Sequence, residues 1–153
     1  MFLLNHQDRK LIAAMHAYQR GRDGSGPFAR LACNWGKLRF MFWTVISGSD
    51  IDRDARIAAT ARFPHLTGVV IHRDAIVDDN CLIMQQVTLG QLAEGGAPHV
   101  KAGAYAGAGA KILGPITVGA GARIGANAVV LQDVPANATA VGVPAQVKGA
   151  QND

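Results

Sequence analysis

The chain has 153 residues, 49% of them hydrophobic and 17% charged, with 18 glycines and 6% aromatics. That length holds one core and not two ordinary domains, and the mix points to a tightly wound backbone with small corners, not to a disordered chain. The net charge is +4, with seven Lys/Arg against two Asp/Glu in residues 1–48 and eight against nine in the rest, and no basic run is dense enough to bind nucleic acid.

Taken in order, Asn5 with Asp8 three residues on forms a variant capping box. Leu11, Met15 and Tyr18 then recur at helical spacing until the breaker cluster Gly21 to Gly26. After Pro27, the residues Leu31, Trp35, Leu38, Phe42 and Val45 mark one face of a second helix, which Gly48 ends. Its aromatic side chains with Arg30, Lys37 and Arg39 predict burial against the rest of the protein or a second subunit, with peripheral contact to an anionic membrane as the alternative. His6, Asp8, Arg9 and Lys10 fall where a signal peptide needs an apolar run, and no apolar stretch approaches a membrane span, so a cytoplasmic location is expected.

From Ile51 the period becomes six. Ile51, Ile57 and Phe63 start the count; after a two-residue slip it resumes at Ile71, Val77, Ile83 and Leu89. A break at residues 90–99 follows, and the rhythm then runs Val100, Ala106, Ile112, Val118, Ile124 and Val130. Most of these residues are followed four positions later by a small side chain such as Ala75, Cys81, Ala104, Ala110, Ala122 or Ala128. One hexad makes a short strand plus a corner, and three hexads make a triangular coil whose aliphatic residues point inward. Stacked coils form an all-β solenoid. Its N-terminal end is expected to be covered by the helices and its C-terminal end by residues 141–145, where the rhythm fades. The predicted organisation is a helical segment 1–48, a β-helix 49–147 and a tail 148–153. Cys33 and Cys81 show no metal-like spacing and are read as reduced packing residues.

Several segments carry a resemblance: Gly68-Val69-Val70-Ile71, Gln86-Val87-Thr88-Leu89-Gly90, Gly107 through Gly114, Ile124-Gly125-Ala126 and Gly142-Val143-Pro144-Ala145. In this order the sequence resembles the left-handed β-helix (hexapeptide-repeat) acyltransferases, and within them the serine acetyltransferase-like group. The resemblance implies a left-handed parallel β-helix, acetyl-CoA as co-substrate without a metal, and a homotrimer with active sites between subunits.

Acyl transfer to a hydroxyl needs a base, a place for the thioester and donors for the oxyanion. Imidazole, with a free pKa of ~6.5, can take the hydroxyl proton and return it to the departing sulfur. Of the five histidines, His65 sits in the slip at Phe63-Pro64-His65-Leu66-Thr67-Gly68, where a side chain can leave the regular wall. The resemblance makes His65 the base and Asp50, 15 residues earlier, the carboxylate that orients it. A corner histidine beside a junction aspartate is the structural alternative.

His99 ends the break in the region where serine acetyltransferases carry a substrate-side histidine, but it follows Pro98 instead of preceding a proline, so strict register places Ala97 there. His72 is expected at an outward corner in solvent, and His6 and His16 on the first helix. The resemblance also implies that Gly90, Ala108 and Ala126 lie along the pantetheine arm, with Arg123 and Lys148 at the nucleotide phosphates. The serine enzymes place an Asp before the base and an Arg before the loop histidine. Here Pro64 and Pro98 stand in front of His65 and His99, so the clamp for a free amino acid is not legible.

These departures predict an acetyltransferase acting on a sugar hydroxyl in surface-polysaccharide synthesis, closest to the short enzymes of that pathway. L-serine O-acetylation is the alternative. A zinc-dependent γ-type carbonic anhydrase would need an imidazole pair that the spacings of His65, His72 and His99 do not supply, and a non-catalytic β-helix scaffold completes the range.

Overall fold

The computed structural model describes residues 6–149. Two helices, α1 (Gln7–Asp23) and α2 (Pro27–Ser47), precede fourteen short strands. The strands stack into three walls of a triangular prism, a left-handed parallel β-helix. The first wall holds β1 (Asp50–Ile51), β3 (Val70–Ile71), β6 (Thr88–Gly90), β9 (Lys111–Leu113) and β12 (Val129–Val130). The second wall holds β2 (Arg56–Ile57), β4 (Ile76–Val77), β7 (His99–Val100) and β10 (Thr117–Val118). The third holds β5 (Leu82–Ile83), β8 (Tyr105–Ala106), β11 (Arg123–Ile124), β13 (Thr139–Gly142) and β14 (Ala145–Lys148).

Strand register explains the hexads. Ile51, Ile71, Leu89, Ile112 and Val130 pair in one row and are all buried, while their outward neighbours Asp50, Val70, Thr88, Lys111 and Val129 form the adjacent row. The corner residues Ala75, Cys81, Val87, Ala104, Ala110, Ala122 and Ala128 are buried as well, because a tight corner leaves room for little more than a methyl group inside. Asn80, Asn127 and Asn137 take the left-handed turns, a conformation asparagine tolerates better than most residues.

The first coil of such a prism exposes carbonyls that no further strand satisfies. Helix α1 covers them: the His16 ring donates to Ile57 O at 2.8 Å, and Gln19 Nε2 donates to Arg53 O at 2.8 Å and Ala55 O at 3.0 Å. Leu11, Ile12, Ala14 and Met15 on α1 join the core beneath. At the far end β14 folds back antiparallel on β13, from Gly142 paired with Ala145 to Thr139 paired with Lys148. Lys148 therefore belongs to the last strand and not to a tail. Both cysteines are free, and burial pushes the Cys81 thiol above its usual value.

Two expectations for the helices change. Asn5 lies outside the described residues; the cap position is His6, with φ 61° and no side-chain cap bond, and Asp8 is used elsewhere. Gly21 lies inside α1 and faces α2, where an added Cβ would stand 2.5 Å from Cys33 N and only glycine fits; a Cβ on Gly36 would meet Tyr18 N at the same distance. These two close approaches select the packing face of α2, so Gly36, Phe40 and Ser47 are buried and the predicted stripe is not. Phe28, Leu31, Trp35, Leu38, Phe42 and Val45 instead form an exposed apolar face. No helix among the described residues is long and apolar enough to cross a membrane.

Candidate active site

The slip between the third and first walls carries His65. Arg62 still pairs with Leu82 in the third wall, and β3 resumes the first wall at Val70. Phe63, Leu66 and Val69 are buried and pin the segment, which leaves Pro64, His65 and Thr67 exposed between them. Backbone bonds fasten it on both sides: Gly68 N to Gly48 O at 2.8 Å, Asp50 N to Val69 O at 2.8 Å, and Gln86 N to Thr67 O at 3.0 Å. His65 lines a cavity of about 470 Å³ with His6, Gln7, Asp8, Arg62, Phe63, Pro64, Leu66 and Thr67.

Asp8 closes one side of this cavity. Its carboxylate accepts from Arg62 Nε at 3.0 Å, Phe63 N at 3.3 Å and Arg9 N at 2.8 Å. Burial alone would raise its pKa, but the Arg62 hydrogen bond, the two N–H donors and the Arg62 charge outweigh that and hold it below the ordinary carboxylate value. A depressed folded-state pKa gives stability that is present above the unfolded value and lost as pH falls through the folded one. Asp8→Asn should therefore lower unfolding stability by about 1–2 kcal/mol at pH 7, and the difference from wild type should shrink on acidification below pH ~4 in urea titrations.

Asp50 is exposed and lines a neighbouring groove of about 250 Å³ with Asp52, Val70, Ile71, His72, Arg73, Leu89 and Gly90. Its backbone runs beside the His65 segment, but among the described residues no hydrogen bond or ion pair engages the side chain of either His65 or Asp50. Gly90 lies in the same groove, at the end of the first wall away from His65.

Ala108 and Ala126 stack at the third-to-first corner below His65. The ladder is continuous: Gln86 N bonds Thr67 O, Gly109 N bonds Gln85 O at 2.9 Å, and Asn127 N bonds Ala108 O at 2.8 Å. Small side chains leave this ridge open to close approach. Within it Gln85 Oε1 is buried with no hydrogen-bond partner among the described residues, an acceptor suited to a ligand N–H. Arg123 and Lys148 fall in one lateral row of the third wall, both registered against Thr139, and Arg123 stacks over Tyr105 at 5.3 Å.

The break at residues 90–99 leaves the prism at a different corner, between the first and second walls. Leu92 bridges Gly95, and Gly96 is close enough to Pro115 that a Cβ would stand 2.6 Å away. His99 follows on β7, where its Nε2 lies 3.0 Å from both carboxylate oxygens of Asp78 on the second wall. Within one chain, His65 and His99 thus stand on opposite sides of the first wall. His72 is half-buried at its corner and accepts from Asp74 N at 3.3 Å. Among the described residues no three His, Cys, Asp or Glu side chains are grouped to hold a metal ion.

Sequence reasoning did not find Arg62, Asp8 or Gln85 as site residues. An arginine and a glutamine at outward strand or corner positions carry no periodic signal. Asp8 meets Arg62 only because α1 lies across the first coil.

Residues 97–132 match the bacterial transferase hexapeptide (six repeats) family. The serine acetyltransferase of Escherichia coli K12 is 46% identical over 103 residues, covering 65% of this chain and 38% of that protein. The serine acetyltransferase of Mycobacterium tuberculosis H37Rv is 48% identical over 111 residues, covering 71% and 48%. The crystal structure of serine acetyltransferase in complex with coenzyme A from Brucella abortus S19 superposes with a TM-score of 0.76 at 35% identity, covering 95% of this chain and 55% of that one. The chain thus carries the hexapeptide repeat and is similar to serine acetyltransferases, and it spans less than half the length of these two curated relatives. The expected kinship with polysaccharide O-acetyltransferases finds no support in these relatives.

Proposed function

We propose that the protein is an acetyl-CoA-dependent O-acetyltransferase acting on L-serine, with His65 as general base and Asp50 as the carboxylate that orients it. The observation that carries this reading is the position of His65: exposed, without a side-chain partner among the described residues, at the head of the small-residue ridge formed by Ala108 and Ala126. The residues present fit acetyl-CoA. Ala108 and Ala126 admit a pantetheine arm, Gln85 Oε1 offers an unmatched acceptor to one of its amides, and Arg123 with Lys148 offers charge to phosphates.

Acetyl-CoA supplies the acetyl group as a thioester. His65 accepts the proton of the acceptor hydroxyl as that oxygen attacks the acetyl carbonyl, and then returns the proton to the leaving sulfur. Asp50 stabilises the imidazolium between those two transfers after a side-chain rotation that brings the pair together.

The active unit is a homotrimer in this reading. Turning the first wall of three copies toward a common axis sets the His65 corner of one against the 91–98 loop of the next. The exposed Val70 and Leu131 on that wall support such a contact. The exposed face of α2 recurs at spacings of three and four residues, the pattern of a helix–helix seam, which favours burial against a second copy over lipid.

A thiol-release assay with acetyl-CoA and a panel of acceptors tests the proposal. Turnover on L-serine is expected. Turnover confined to nucleotide sugars would restore the sugar-hydroxyl reading, which Pro64 and Pro98 still favour because they remove the charged neighbours of the serine enzymes.

A further inference from the structure

An acceptor that carries a carboxylate needs a cation beside the base, and neither Pro64 nor Pro98 supplies one. Arg62 stands three residues before His65 and lines the same cavity. Three residues span at most ~10 Å of backbone, within the combined reach of an arginine and an imidazole. The Arg62 backbone is fixed by its bridge to Leu82 in the third wall, while its side chain is 43% exposed.

Only one edge of the guanidinium is in use. Nε donates to Asp8 Oδ2 at 3.0 Å, and among the described residues no other side-chain partner engages it. An arginine held through Nε keeps its two terminal nitrogens as a planar fork, which matches a carboxylate with two parallel hydrogen bonds. Asp8 is itself 4% exposed and holds three donors, so it fixes the arginine and is too enclosed to confront an incoming anion at the mouth. Among the described residues Asp8 is the sole acid lining the cavity; the remaining polar lining is His6, Gln7, His65 and Thr67.

We propose that Arg62 binds the carboxylate of the acceptor, so that a small hydroxy acid or hydroxy amino acid presents its hydroxyl to His65. Asp8 acts as the positioning residue for Arg62. This rests on His65 being the base, and it supplies for this chain the carboxylate contact that the prolines leave vacant.

The experiment compares wild type, Arg62→Gln and Arg62→Lys on L-serine and on L-serinamide, whose carboxylate is replaced by a neutral amide. Arg62→Gln should raise KM for L-serine about ten- to a hundredfold, the factor a lost charge-assisted pair carries. Wild type should show a similarly raised KM for L-serinamide, which Arg62→Gln then changes little. KM for acetyl-CoA should stay put, and Arg62→Lys, which retains the charge beside Asp8, should recover part of the loss. Equal losses on both acceptors, or an unmoved KM for L-serine, would overturn the assignment.

If wild type acetylates neither acceptor, the serine reading has failed, and carboxylate binding is read separately from the NMR signals of the labelled His65 ring. Shifts on adding L-serine, absent with L-serinamide and absent in Arg62→Gln, would uphold the Arg62 site. No shift with L-serine would end it.

Discussion

Replacing His65 with alanine is expected to lower kcat for acetyl transfer by about 10²- to 10⁴-fold, the contribution of a positioned general base. The fold should be indifferent to the change. The ring is exposed and has no hydrogen-bond or ion-pair partner among the described residues, while the segment is held by Phe63, Leu66 and Val69 and by backbone bonds from Gly68, Asp50 and Gln86. Unfolding stability should therefore stay within about 0.5 kcal/mol of wild type. Steady-state kinetics at saturating acetyl-CoA, paired with urea denaturation of the same preparation, separates the two effects. A His65→Ala enzyme retaining kcat within tenfold would leave the base unassigned. A loss of activity accompanied by a loss of stability would show that the ring supports the corner and not the chemistry.

The second large effect is structural. Leu89 is fully buried on the first wall, in register between Ile71 and Ile112. A coil of a solenoid packs only on its neighbours, so a void there is not shared with a distant core. Leu89→Ala should cost about 2–5 kcal/mol, a large share of the ~5–15 kcal/mol that holds a domain folded. Leu131 on the same wall points outward and is 48% exposed, so Leu131→Ala should cost about 0.5 kcal/mol or less in the isolated chain. Denaturant midpoints of the two variants check this contrast, and similar values for both would contradict the inward and outward rows described above.

The six-residue rhythm was legible because one aliphatic side chain per wall must point inward, and burial of Ile51, Ile57, Phe63, Ile71 and their successors follows the count residue by residue. The interruptions were legible too, since the slip at His65 and the break before His99 are places where the count fails. What the count could not give was direction. The slip and the break occupy different corners, and His99 returns to regular strand against Asp78, a pairing that needs two adjacent coils in register. Handedness likewise follows from the family resemblance and the superposed structure, since a six-residue period is the same for either hand.

The helices were legible in extent but not in orientation. The stripe from Leu31 to Val45 is the more apolar face, yet Gly36 lets α2 approach Tyr18 more closely than any larger side chain could, so the small-residue face packs inward. The Asp8 and Arg62 pair was hidden for a similar reason: the two residues are 54 positions apart and meet only when α1 caps the prism.

In the proposed mechanism the reacting thioester sits at the His65 corner. A crystal structure with coenzyme A bound is the decisive measurement. The pantetheine arm is expected along Ala108 and Ala126, with an amide N–H on Gln85 Oε1 and the sulfur in contact with the His65 ring. A coenzyme lying on the second wall beside Asp78 and His99, with its sulfur remote from His65, would contradict it.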